Sequence, residues 1–188
     1  MWVFGYGSLV WRPALAFCES GVGFIEGWVR RFWQGSMDHR GVPEAPGRVV
    51  TLVPEAGAEC WGVGYSVPRD RRSEVLKTLD HREKGGYERR FVDVHLRGRA
   101  ETVKGLIYLA KPSNPNYLGP APLAEIVSQV RRSYGPSGSN VEYVQRLAAA
   151  LREMEVSDDH VFELEAALNL GSTAPPPPGR RPARPAND

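Results

Sequence analysis

The order in which the periodic segments fall along the chain restricts its fold more than any other feature. Nearly all strand-like segments lie in the first 110 residues, and helical ones dominate after them. Trp2 to Gly5 is short and apolar and runs at once into a glycine-rich turn. Gly23 to Trp33 is rich in aromatic and β-branched residues. Arg48 to Val53 alternates Val49, Thr51 and Val53 against Val50 and Leu52, and Trp61 to Val67 continues in that style. Phe91 to Leu96 and Val103 to Leu109 complete the set. Strands gathered before helices point to an α+β domain rather than an alternating α/β one.

Between these strands, Val75, Leu76 and Leu79 recur at helical spacing after Pro68, and that helix must end before Gly85-Gly86. Further on, Pro122 to Tyr134 reads as helix and stops at Gly135-Pro136. Ser139-Asn140-Val141-Glu142 has the form of a capping box. Val141, Val144, Leu147, Ala148 and Leu151 form one apolar face behind it, and a last helix spans about 158 to 170. One domain is expected over residues 1–171. Residues 172–188 are Pro- and Arg-rich, with Pro175 to Pro178 in a row, and bury too little apolar surface to order, so a disordered tail is expected.

Charge narrows the choice of partner. Three of the 24 basic and one of the 22 acidic residues lie in that tail, which leaves 21 of each in the body. A neutral body argues against nucleic acid, whose binding requires a basic face. No apolar run approaches the roughly 20 residues of a membrane helix, and the N-terminus lacks the form of a signal peptide. Cys18 and Cys60 form no C-x-x-C pair, which fits a reduced, cytosolic protein.

Two segments carry candidate chemistry. Gly5-Tyr6-Gly7-Ser8-Leu9 contains G-x-G but lacks the third glycine of a dinucleotide loop, has no Gly-Lys-Ser/Thr, and has Val10 where a nucleophile elbow needs glycine. It is either a tight turn or a run of backbone N–H groups able to hold a carboxylate or carbonyl oxygen. Glu83 stands where a helix meets a glycine pair, among Arg82, Lys84, Arg89 and Arg90, either as a solvated helix end or as a general base facing a cleft. The basic neighbours lower its pKa and burial raises it. Glu74, nine residues earlier, points to the opposite helix face, so no carboxylate pair is expected. His39, His81, His95 and His160 lack metal-site spacing, so neither metal nor cofactor is expected. Ser36, Asp38 and His39 read as a polar loop rather than a hydrolytic triad.

MWVFGYGSLVW, RRFWQGSMDHRGVP, PGRVVTLV, REKGGYERR, NPNYLGPAPLAEI and GPSGSNVEYV follow one another over residues 1 to about 170. In this order they resemble the ChaC-type, glutathione-specific γ-glutamylcyclotransferases, and REKGGY resembles the smaller, ChaC2-like branch. The resemblance implies a small mixed β-barrel with flanking helices and glutathione as the substrate. It implies a γ-glutamyl site at Tyr6, Gly7, Ser8 and Leu9, with Val3, Phe4 and Gly5 leading in, and an acid/base role for Glu83. It also sets Tyr143 near the ligand, where the alternative is a tyrosine packed on the core. Arg48 is a candidate carboxylate clamp, the alternative being an ion pair between surface and sheet. The Pro/Arg tail departs from the family pattern.

The reaction so implied is economical. The α-amine of the γ-glutamyl unit reaches its own γ-carbonyl through a five-membered ring, giving 5-oxoproline and releasing Cys-Gly, so a bent conformation supplies most of what is needed. One carboxylate can act as base and then acid, and backbone N–H groups can hold the oxyanion. Two other readings stay open at this point. The same chemistry could act on other γ-glutamyl amino acids or amines, or the chain could be a non-catalytic binding module whose Pro/Arg tail docks in an aromatic groove.

Overall fold

A computed structural model describes residues 1–83 and 85–170. The expectation for residues 172–188 lies outside the described residues. Five strands, β1 (Trp2–Gly5), β2 (Glu19–Ser36), β3 (Gly47–Ser66), β4 (Glu88–Leu96) and β5 (Val103–Leu109), close into a barrel in the order β1-β3-β2-β4-β5. Closure comes from parallel pairing of β1 with β5, Trp2 opposite Gly105 and Val3 opposite Leu106, while every other pairing is antiparallel. The barrel is therefore mixed, as expected.

The segments 48–53 and 61–67, which read as separate strands, belong to the single long β3. Its exposed stretch from Pro54 to Glu59 shifts the register against β2 between Glu26 and Trp28, with Gly27 and Gly57 at φ +77° and +79°. A two-residue hairpin, β6 (Tyr134–Gly135) with β7 (Gly138–Ser139), occupies the position read as a helix breaker.

Four helices flank the barrel: α1 (Arg72–Arg82), α2 (Leu123–Arg132), α3 (Asn140–Glu153) and α4 (Asp159–Leu170). Val144, Leu147, Ala148 and Leu151 on α3 meet Phe4, Ile25, Phe32, Val50 and Leu52 of the barrel in the main core, which α4 extends with Val161, Leu164 and Leu168. A second core of Val3, Val67, Val75, Leu79, Leu106 and Tyr108 seats α1 against β1 and β5. Half of the expected capping box forms. The Ser139 hydroxyl accepts from Glu142 N–H at 3.1 Å, but the Glu142 carboxylate turns away to Arg40 and Arg146. No helix among the described residues is long and apolar enough to cross a membrane.

Candidate active site

Strand β1 ends in a buried aromatic run and passes directly into a 3₁₀ turn at Ser8–Val10. Gly7 precedes this turn at φ −118°, a value any residue can adopt. Space is what requires glycine here: a Cβ would lie 3.0 Å from both the Tyr143 hydroxyl and a Val50 methyl. The N–H groups opening such a turn have no partner inside it. Gly7, Ser8 and Leu9 line a cavity of about 590 Å³, a size that suits a tripeptide-scale ligand.

Glu83 lines the same cavity. It caps α1, with its N–H bonded to Leu79 O at 2.8 Å and its own carbonyl accepting from Tyr87 N–H at 3.3 Å. Gly86 follows at φ +88°, so the chain can reverse and leave the carboxylate at the cavity wall. Burial pushes the Glu83 carboxyl above the ordinary glutamate range. Arg82 pulls it down and Asp38 pushes it further up. Burial therefore outweighs the basic surroundings, a balance that the sequence left undecided. Arg82 also joins the two halves of the site, with its Nε 3.4 Å from Glu83 Oε1 and a terminal nitrogen donating to the Ser8 hydroxyl at 2.6 Å.

Tyr108 and three further tyrosines line the same space. Tyr6 donates its hydroxyl to Tyr108 O at 2.6 Å, and burial holds it and Tyr87 well above the ordinary phenol range. Tyr143, carried by α3, packs edge-on against Trp11 with ring centres 5.2 Å apart and lies under the Arg40 guanidinium; burial pushes its hydroxyl to about 12. All three remain neutral hydrogen-bonding groups at physiological pH.

Phe4, Tyr6, Gly7, Ser8, Leu9, Glu83 and Tyr143 thus come together on one cavity. Val3, Gly5 and Arg48 do not line it. Val3 faces the second core, and Gly5 makes room for Leu9, whose Cβ a side chain there would meet at 2.6 Å. Arg48 is corrected from a carboxylate clamp to a structural tie. It is buried, donates to Gln129 Oε1 and to the carbonyls of Phe32 and Gly119, and joins β3 to α2 and β2. Sequence reasoning missed Arg82, Tyr87, Asn116 and the stretch from Gln34 to Arg40, all of which line the cavity. The motif RRFWQGSMDHRGVP marked that stretch, but nothing in it distinguishes a cavity wall from a polar loop. Among the described residues no group of His, Cys, Asp and Glu is placed to hold a metal.

This combination of barrel and site defines the γ-glutamylcyclotransferase-like fold. The crystal structure of a γ-glutamyl cyclotransferase specific to glutathione from yeast superposes with a TM-score of 0.86 at 29% identity, covering 90% of this chain and 96% of that one. The family model for ChaC-like proteins matches residues 1–170, and the chain belongs to that family. Its relatives include the zebrafish (Danio rerio) glutathione-specific γ-glutamylcyclotransferase 1, 49% identical over 89% of this chain and 88% of that protein. The human protein of the same name is 45% identical over 89% and 78%. These two, whose names carry the numeral 1, lend no support to the finer expectation of a ChaC2-like branch.

Proposed function

We propose that this protein is a glutathione-specific γ-glutamylcyclotransferase that uses Glu83 as its acid/base. The observation that carries the reading is a desolvated glutamate lining one cavity with the glycine loop and linked to it through Arg82. The family and the names of its relatives supply the substrate class. A pKa raised above the ordinary carboxylate range brings Glu83 closer to the amine it must deprotonate, which favours general-base catalysis.

In this mechanism the γ-glutamyl unit bends so that its α-nitrogen faces its own γ-carbonyl. Ionised Glu83 takes a proton from the ammonium, and the freed lone pair forms the C–N bond that closes the ring. Backbone N–H groups of Gly7 to Leu9 hold the oxyanion of the tetrahedral adduct. Collapse breaks the original amide bond as Glu83 returns its proton to the departing nitrogen, and the ring nitrogen's surplus proton follows the same carboxylate. Two protons pass from the attacking to the leaving nitrogen, and 5-oxoproline and Cys-Gly account for every atom of glutathione. The side chains of Cys18 and Cys60 are free thiols, which supports a reducing, cytosolic setting.

Incubating purified protein with glutathione and assaying 5-oxoproline and Cys-Gly tests the activity. Stoichiometric release of both is expected. Release of glutamate instead, or of nothing, would overturn the reading.

A further inference from the structure

The turn that follows Glu83 is held by two side chains of a distant loop: Asn116, whose Nδ2 reaches Gly85 O at 3.4 Å, and more closely Asn114. Asn114 donates one Nδ2 group to two successive carbonyls, Gly85 O at 2.9 Å and Gly86 O at 2.7 Å. Its Oδ1 accepts from Asn116 N–H at 2.8 Å, so neither end of the amide can be exchanged for the other. That loop is rigidly seated: Gly35 N–H donates to Asn116 O at 2.7 Å and Leu118 N–H to Trp33 O at 2.8 Å, pinning it along β2.

Gln34, fully buried at the cavity wall, adds a second lock. Its Nε2 donates to Asn114 Oδ1 at 3.3 Å, and this polarity leaves Gln34 Oε1 without a hydrogen-bond partner among the described residues. A buried orphan acceptor opposes folding, and an apolar residue of similar volume would avoid it. The chain of amides from Gln34 through Asn114 to Gly85 and Gly86 therefore serves geometry rather than stability. We infer that Asn114, oriented by Gln34, is a positioning residue that holds Glu83 against the cavity. The inference rests on the reading of Glu83 as acid/base, and it adds the element that keeps the carboxylate in its desolvated place.

The full chain is compared with Asn114→Ala, Gln34→Met and, as a destabilising control in the α4 core, Val161→Ala. The charged and titratable groups acting on Glu83 are Arg82 at the end of α1, Asp38 in the loop after β2, Tyr6, Tyr87 and Tyr143; none is altered. In Asn114→Ala, kcat should fall ~10-fold or more with KM changed by less than ~3-fold, since misplacement affects the chemical step most. The acid limb of kcat should move to lower pH as the released carboxylate regains water. Hydrogen–deuterium exchange over residues 83–88 should quicken ~10-fold or more. Gln34→Met should show the same changes to a smaller extent, while Val161→Ala lowers the melting temperature and moves neither the limb nor the exchange.

An unmoved limb, or changes reproduced by Val161→Ala, would make Asn114 merely structural and overturn the inference. If the unaltered protein released no 5-oxoproline, the proposed function would fall, and exchange over 83–88 would still decide whether Asn114 holds the turn.

Discussion

Arg30 and Glu83 are both charged groups taken out of water on the same small barrel, yet their surroundings differ in kind. The Arg30 side chain is wholly buried and bonded in several directions: to Asp158 at 3.1 Å, to Trp61 O and to the Cys60 thiol. Beside it Phe32 N–H donates to His160 Nε2 at 3.1 Å, so α4 closes over the barrel through polar contacts as well as apolar ones. Among the described residues Glu83 has one ion pair, at 3.4 Å, and it lines the open cavity. The contrast is between a charge held from several sides, though its Nε has no hydrogen-bond partner among the described residues, and a charge with one ion-pair neighbour on a cavity wall. The first binds elements together, and the second is available for chemistry.

That contrast can be broken from either side. Arg30→Met strands Asp158 and should destabilise the fold by about 3–5 kcal/mol, read as a loss in the urea midpoint, while kcat/KM of the folded fraction stays near wild type. A large kinetic loss with normal stability would place Arg30 in the site instead. Glu83→Gln should have the reverse signature, kcat down by roughly 10²-fold or more with normal folding and retained glutathione binding. A matched Glu74→Gln, whose carboxylate is exposed and paired with Arg71, should lose little. Release of 5-oxoproline by Glu83→Gln at near wild-type rate would remove Glu83 from the mechanism.

Gly7→Val fills the space beside Tyr143 and should lower kcat/KM by ~10-fold or more in a folded protein, since the ligand must share that space.

The smallest effects concern pH and stability, and the two regions again differ in sign. Burial lowers His160 to about 4, so its neutral form is favoured in the fold. This contribution is present above the ordinary histidine value of about 6.5 and is lost as pH falls toward 4. His160→Gln should therefore flatten the decline in melting temperature across that window. Glu83 has a raised pKa, so its ionised form opposes folding at neutral pH and ceases to do so once protonated. Glu83→Gln should raise the melting temperature near pH 7 and leave it unchanged well below the ordinary glutamate value.

Alternation in 48–53, apolar spacing on α1 and α3, and the Ser139 cap were all readable because each depends on neighbours in sequence. The union of two segments into β3 was not, since the stretch from Pro54 to Glu59 is paired with β2 only at Pro54 and Glu59 and its mostly exposed side chains show no alternation. Glu83 was singled out by its position before Gly85-Gly86, but its burial and the repulsion from Asp38 come from the way the chain folds around it. Arg48 misled for a related reason. A basic residue in a strand motif looks the same whether it meets a substrate or, as here, the carbonyls of Phe32 and Gly119.

The pairing of Val3 with Leu106 has a consequence for how the molecule assembles. β2 with β3, and β4 with β5, are adjacent in the chain and can zip locally. β1 must wait for partners about 60 and 100 residues downstream, and closing loops of that length is slow. During synthesis the glycine loop is made before β3 and β5, the strands that hold β1 in the barrel. An incomplete chain therefore has no binding site to offer, and ligand can stabilise the protein only after its final strand has docked.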